Sequence, residues 1–355
     1  MTEKIKIAFI IPTLTLGGAE KQQILIFNSI DRNIFEPRLF VFKNKVELLP
    51  QIKYVNEVKV YDSKGILSLV FSGIIKDLKD FKPDIIHSQM YNANLFSRFV
   101  YCFIPKVKIL NHVHGLGRWM GFFTLSIEKA TSFLSDRFIL VSEKSRELRL
   151  KREKYPKNKT VVFLNSVETE KFKEIRPLSG NVINLGVASR LIKLKRIDKV
   201  INFTSWCLKN DQKIMLHIAG NGVEEENLKN LVQEFGIENN VIFYGMTQDM
   251  AGFYSKIDIL AVASETEDLP LTVIEALAAG KTVISTPVGN IPKTLEDTCS
   301  LLTSFDETEF EKIKEFISKL DRSKSDNINR NVAEKFSHDN YMKKLEKLYL
   351  DLLNK

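Results

Sequence analysis

Apolar residues in this chain gather in short unbroken runs rather than in alternation. Residues 4–11, 84–87, 108–112 and 137–141 form such runs in the first half, and 182–188, 214–219, 257–262 and 283–285 in the second. Runs of this length bounded by turn residues predict strands buried on both faces. Weaker strand patterns lie at 38–42, 57–61, 161–164, 241–244 and 301–302. Between them the spacing turns helical, at 19–30, 66–80 and 224–235, and again at 339–352 through Leu345, Leu348 and Leu352. Strands alternating with helices in both halves predict an α/β protein of two doubly wound parallel sheets. The polar stretch 169–180, with Pro177 and Gly180, reads as a linker. The expected division is an N-terminal Rossmann-like domain over 1–173, a linker over 174–181 and a second domain over 182–338. A terminal helix over 339–355 is expected to pack back on the first domain.

At 355 residues the chain is long enough for two cores. Cys102, Cys207 and Cys299 are far apart and show no metal-ligand spacing, which fits a reducing cytoplasm. The first apolar run meets Pro12 and then Gly17 and Gly18, so it reads as a strand and its loop rather than an export signal. Residues 66–75 reach about half of the roughly 18–20 apolar residues that a membrane-spanning helix needs. Charge changes the picture more. Residues 1–175 hold 29 Lys and Arg against 18 Asp and Glu, which leaves the remainder slightly acidic. Basicity in one half implies an anionic partner there: membrane headgroups, a pyrophosphate-linked acceptor or nucleic acid.

The chemistry concentrates in residues 267–286, EDLPLTVIEALAAGKTVIST. Glu267 precedes a turn at Pro270, a short helix follows, and Gly280 stands at its C-cap before the next strand. A helix N-terminus seats phosphate, and two carboxylates beside it, Glu267 and Glu275, can accept hydrogen bonds from sugar hydroxyls. Together these describe a nucleotide-sugar pocket. The pattern E-x-L-P-x-x-x-x-E-A-x-A-x-G-x-x-V-I resembles the signature of glycosyltransferase family 4, the retaining GT-B enzymes. Asp268 departs from it, because the family usually has Gly there, and this bears on donor identity.

Other segments carry the resemblance along nearly the whole chain. Gly17-Gly18-Ala19-Glu20 matches the family's G-G-A-E loop over the donor, and no G-x-G-x-x-G is present. Residues 83–89, PDIIHSQ, resemble the family's PDIIHSH with Gln89 in place of the second His, and His87 reads as structural. Asn92 and Asn94 read as caps of the next helix. Alternation places His112 and His114 on one side of their strand, and His114 resembles the family's histidine that hydrogen-bonds the transferring sugar. The aromatic segment 115–123 is expected in the core, with an exposed loop dipping into lipid headgroups as the alternative. Ser142 is expected to cap a basic helix, the favoured membrane-docking surface. Arg190 and Lys195 resemble the GRLxxxKG pair that grips the diphosphate, while Gly220 and Gly222 correspond to a loop near the nucleotide.

The resemblance implies a GT-B fold, two Rossmann-like domains facing a central cleft, and a retaining hexosyl- or N-acetylhexosaminyltransferase. The donor expected is a nucleotide diphosphate sugar, UDP-linked, serving as co-substrate with no cofactor and no metal. Arg190, Lys195, Glu267 and His114 are the expected catalytic set. Gly17, Gly18, Gly220, Gly222, Asp268, Leu269, Pro270, Leu271 and Glu275 are expected to bind donor and nucleotide. The acid-rich run 265–268 leaves Mg²⁺ as a less favoured alternative. The acceptor expected is a glycan, lipid-pyrophosphate-linked as in O-antigen assembly, met at the cytoplasmic face of the inner membrane through the basic first domain. A GT-B sugar-nucleotide epimerase is the nearest enzyme alternative. A basic nucleic-acid-binding protein is the alternative outside enzymes, disfavoured because the excess charge lies in one half only.

Overall fold

A computed structural model describes the chain except residues 1, 2, 64, 66, 67, 69–71, 116, 118, 119 and 355. It contains two compact units. Unit 1 comprises residues 1–165 and 338–355, and unit 2 comprises residues 166–337. The polar stretch 174–181 therefore lies inside unit 2. Arg330 holds it there, donating to the carbonyls of Phe172 at 2.9 Å and Ile175 at 2.6 Å.

Unit 1 is built on a seven-stranded sheet of β1 (Ile5–Ile11), β2 (Phe35–Val41), β3 (Val58–Val60), β4 (Ile85–Gln89), β5 (Lys108–Val113), β6 (Arg137–Leu140) and β7 (Thr160–Val162). Its spatial order is β3-β2-β1-β4-β5-β6-β7, with every described pair parallel. The alternation within β1 shows why its run is unbroken. Ile5, Ile7, Phe9 and Ile11 enter one core cluster, and Ala8 and Ile10 enter the cluster on the opposite face. The helix His338–Leu352 packs Tyr341, Leu345, Tyr349 and Leu352 into the first of these clusters.

Unit 2 repeats the plan with β8 (Ile183–Ala188), β9 (Ile214–Ala219), β10 (Val241–Gly245), β11 (Ile259–Val262), β12 (Thr282–Ser285) and β13 (Leu301–Leu302), ordered β10-β9-β8-β11-β12-β13. In each sheet the winding reverses once, between β1 and β4 and between β8 and β11. Loops leave the strand ends in opposite directions at such a point and open a crevice, where open α/β sheets bind ligands. Gln89 ends β4, and the motifs containing Gly17, Lys195 and Glu267 follow β1, β8 and β11.

Three expectations are corrected. Phe122 and Phe123, expected in the core, are 80% and 82% exposed at the start of the helix Phe122–Thr131, whose inward face is held by polar Glu128. Asn94 is not a helix cap. It lies inside the helix Tyr91–Val100, buried against β4 and β5, donating to the carbonyl of His112 at 3.1 Å and accepting from Ser88 Oγ at 2.8 Å. The basic helix Glu143–Arg152 is capped by Ser142, which accepts from the Ser145 amide, but its cations are not all free for docking. Arg149 is buried against Glu153 at 2.7 Å, and Arg152 is spent on Glu153 and the Gly117 carbonyl. Of the expected helix 66–80, residues 66, 67 and 69–71 lie outside the described residues, and a helix runs over Ile74–Phe81 after Gly73 at φ 88°.

Candidate active site

In unit 2 the loop after β8 is bolted to the loop after β9. The Leu191 amide donates to Asn221 O at 2.8 Å, and the Glu224 amide donates to Leu191 O at 3.0 Å. Glycine is required where they touch. A Cβ on Gly220, whose φ is +137°, would lie 1.8 Å from the Ser189 carbonyl oxygen, and one on Gly222 would lie 2.2 Å from that of Leu191. These two glycines therefore seat the Arg190 loop. The loop continues through a tight turn, Lys193–Lys195, into the helix Ile197–Lys209, and is tied to the loop after β11 by the Glu265 amide donating to Leu194 O at 2.9 Å.

That tie brings Lys195 to Glu267. The Lys195 ammonium donates to Glu267 Oε1, which also accepts from Ser264 Oγ at 2.9 Å, and both charged side chains are mostly buried. Thr286 holds the Ser264 carbonyl from the end of β12 with a 2.6 Å bond. Gly289, at φ +59°, backs the same turn, where an added Cβ would lie 2.3 Å from the carbonyl oxygens of Glu267 and Asp268. The Asn290 amide donates to Asp268 O at 2.7 Å. Lys195, Ser264, Glu267 and Thr272 line a small cavity of about 20 Å³ over the ends of β8 and β11. A larger depression of about 550 Å³ lies beyond this turn, between Arg196, Glu234 and Glu265, and includes none of the expected catalytic or donor-binding residues.

Leu269 and Pro270 lead into the site helix Leu271–Ala278. Glu275 is buried on it and accepts from the Tyr254 hydroxyl at 3.1 Å. Burial first, and then the Glu275 carboxylate, push the Tyr254 hydroxyl well above its ordinary range, so it remains a donor. Arg330 caps the far end of the helix through the carbonyls of Ala278 at 2.8 Å and Ala279 at 3.3 Å. Gly280, with φ +73°, ends the helix as the sequence pattern requires. Arg190 is exposed and forms no ion pair among the described residues, so the structure joins Lys195 to Glu267 without it. Glu265 turns instead to Arg196, at 3.2 Å.

In unit 1, Gly17 leaves room for the Glu20 carboxylate to fold back over its own loop, since a Cβ there would lie 2.2 Å from Glu20 Oε2. Thr13 and Thr15 donate to that carboxylate at 3.2 and 3.0 Å. Gly18 begins the helix Gly18–Ser29. His114 stacks on His112 with ring centroids 4.2 Å apart, and its Nε2 bonds to Gln89 Oε1 at 2.8 Å. Burial lowers the His114 pKa to about 4. His87 bonds through Nδ1 to the Tyr349 hydroxyl at 2.6 Å, and burial, then His114, lower its pKa to about 3.

Sequence reasoning missed Ser264, Thr286 and Tyr254 as site supports. The position of Ser264 and Thr286 at strand ends was a usable signal. Tyr254 had none, because it reaches Glu275 from a separate short helix, Met250–Tyr254.

Two family models match in tandem, one described as Glycosyltransferase Family 4 over residues 17–171 and one as Glycosyl transferases group 1 over residues 168–338. An uncharacterized glycosyltransferase of Haemophilus influenzae is 31% identical over 151 residues, 42% of this chain and 41% of that protein. The O-antigen biosynthesis glycosyltransferase WclY of Escherichia coli is 34% identical over 121 residues, 34% of this chain and 32% of its own length. The chain thus spans less than half the length of these curated relatives. Among solved structures, Anabaena HepE in complex with UDP superposes with a TM-score of 0.82 at 18% identity, covering 98% of this chain and all of that one. That likeness carries the fold, which is GT-B. The paired models, covering almost the whole chain between them, place the protein in the family 4 glycosyltransferases.

Proposed function

We propose that the protein is a retaining glycosyltransferase that moves a sugar from a UDP-sugar to a glycan acceptor carried on a lipid pyrophosphate, as in surface polysaccharide or O-antigen assembly. The observation that carries this reading is the Lys195–Glu267 pair, built with Ser264 where the unit 2 sheet reverses its winding. A departing nucleoside diphosphate gains negative charge as the sugar–oxygen bond breaks. A fixed ammonium at that point stabilises the charge without reorganisation, and Arg190 on the same loop adds a second cation.

The neighbouring groups take complementary roles. Glu267 accepts from a sugar hydroxyl while Lys195 turns to phosphate. The backbone of Asp268, Leu269, Pro270 and Leu271 at the site helix N-terminus holds the β-phosphate. Glu275, kept in place by Tyr254, takes the ribose hydroxyls. In unit 1, His114 hydrogen-bonds the transferred sugar, with Gly17 and Gly18 over the donor. The leaving phosphate oxygen accepts the proton of the attacking acceptor hydroxyl on the same face, so the anomeric configuration is retained with no separate base and no metal. The relatives support a nucleotide-sugar donor: HepE was solved with UDP, and WclY acts in O-antigen biosynthesis.

An anionic membrane fits the acceptor side. Unit 1 carries 31 Lys and Arg against 18 Asp and Glu, whereas unit 2 carries 21 against 26. Phe122, Phe123, Ile127 and Phe133 are exposed in one stretch, and Lys159 donates to the Phe133 carbonyl at 3.0 Å beside it. No helix among the described residues is long and apolar enough to cross a membrane.

The test is calorimetry and turnover with a panel of UDP- and GDP-sugars, with and without EDTA. UDP-sugars should bind and be hydrolysed or transferred, unaffected by EDTA. Glu275→Ala should weaken UDP binding about tenfold or more, the value of a charge-assisted hydrogen-bond pair. Absence of binding by every donor would overturn the reading, and unchanged UDP affinity in the variant would remove Glu275 from it.

A further inference from the structure

Gln89 is the last residue of β4 and sits in register with His112 of β5. It lies at the point where the unit 1 sheet reverses, and it is fully buried. Beyond it the chain turns through Met90 at φ 71° and ψ 157°, a region that residues other than glycine rarely enter. The Gln89 side-chain amide nitrogen has no hydrogen-bond partner among the described residues, and its carbonyl oxygen meets His114. Three imidazoles form a column beside Gln89. His87 stacks on His112 with centroids 5.6 Å apart, and His112 stacks on His114 at 4.2 Å and 29°.

Inside that column, neither ring nitrogen of His112 and not His87 Nε2 has a hydrogen-bond partner among the described residues. The stack therefore holds the plane of the His114 ring but does not place its proton. Among the described residues one polar group does, the Gln89 carbonyl oxygen 2.8 Å from His114 Nε2. A carbonyl oxygen offers only lone pairs, so the nitrogen facing it carries the hydrogen. A neutral imidazole has one such hydrogen, which leaves Nδ1 as an acceptor.

We infer that Gln89 is a positioning residue that locks His114 as the Nε2–H tautomer and thereby presents its Nδ1 lone pair to a hydroxyl of the bound sugar. The sugar-facing role of His114 comes from the proposed transferase reading, and the inference rests on it. Reversal of the Gln89 amide would have the opposite effect from the arrangement seen: its NH₂ would occupy the Nε2 lone pair, and the proton would pass to Nδ1.

The experiment is a long-range ¹H–¹⁵N spectrum of protein labelled with ¹⁵N-histidine at neutral pH. The chain has five histidines, and the His114 signals are those lost in His114→Ala. Wild-type protein should show His114 as Nε2–H alone. Gln89→Met, which keeps the length but removes the acceptor, should give mixed tautomers, and Gln89→Glu should restore Nε2–H. In parallel turnover with a UDP-sugar, Gln89→Met should lower kcat about tenfold, the value of one oriented hydrogen bond, with KM little changed. An Nδ1–H or mixed His114 in wild type would overturn the inference, as would an unaltered spectrum in Gln89→Met. Should that variant not fold, the wild-type and Gln89→Glu spectra decide. A locked ring in a protein that handles no nucleotide sugar would refute the transferase reading separately, establishing the contact and removing its use.

Discussion

Lys195 and Glu267 show how one side chain serves two partners. The ammonium is held by a carboxylate and so cannot wander, yet that carboxylate also has Ser264 and remains anchored when Lys195 turns to a phosphate. Lys195→Ala should lower turnover by roughly 10²–10³, measured as kcat with saturating UDP-sugar; wild-type turnover in the variant would exclude Lys195 from the chemistry. The histidine column makes a prediction about pH. Unfolded histidines titrate near 6.5, whereas folded His87 and His114 titrate at about 3 and about 4, and His112 lies well below its ordinary range, chiefly through burial. Between these values the unfolded chain binds protons that the folded one does not, so stability present above pH 6.5 is lost as pH falls through the window. The melting temperature should therefore drop between pH 6.5 and 5, where carboxylates remain ionised. A level melting temperature across that range would refute the buried, neutral column.

Elements are held together by polar residues that hydrophobic periodicity does not reveal. Arg98 is fully buried on the helix Tyr91–Val100 and reaches Asn111 of β5 at 2.9 Å, Ser135 at 3.0 Å and Glu128 at 2.7 Å. Tyr155 donates to the same Glu128 carboxylate. Arg98→Ala would leave that carboxylate buried and uncompensated, so it should destabilise the protein by about 3–5 kcal/mol in a denaturant titration. A loss below about 1 kcal/mol would mean that Glu128 is neutral or rehydrated. Strand runs were legible because both faces of a parallel sheet are buried, and the observed strands lie within a few residues of the expected ones. The exposed Phe122 and Phe123 were not legible. Composition says that aromatic residues prefer burial, but only the packing of Glu128 shows which face of that helix turns inward.

For the molecule as a whole, charge and apolar surface lie in the same unit. Binding to vesicles containing phosphatidylglycerol should exceed binding to phosphatidylcholine vesicles and should fall about tenfold or more as salt rises from 0.15 to 0.5 M, since each basic residue near the surface contributes about 1 kcal/mol that salt screens. Replacing Phe122 and Phe123 together with Ser should remove the salt-resistant remainder, and equal binding by the double variant would place the contact elsewhere.

The sequence by itself determined that there are two doubly wound sheets, because a strand must be apolar on both faces to lie between helix layers. It also determined which loops carry acids, cations and glycines, because those residue types obey fixed spacings along the chain. Tertiary structure alone decided that Lys195 meets Glu267, that Tyr254 holds Glu275, and that Gln89 meets His114. Each of these contacts joins segments separated by intervening strands and helices, so its geometry follows from strand order and register rather than from local pattern.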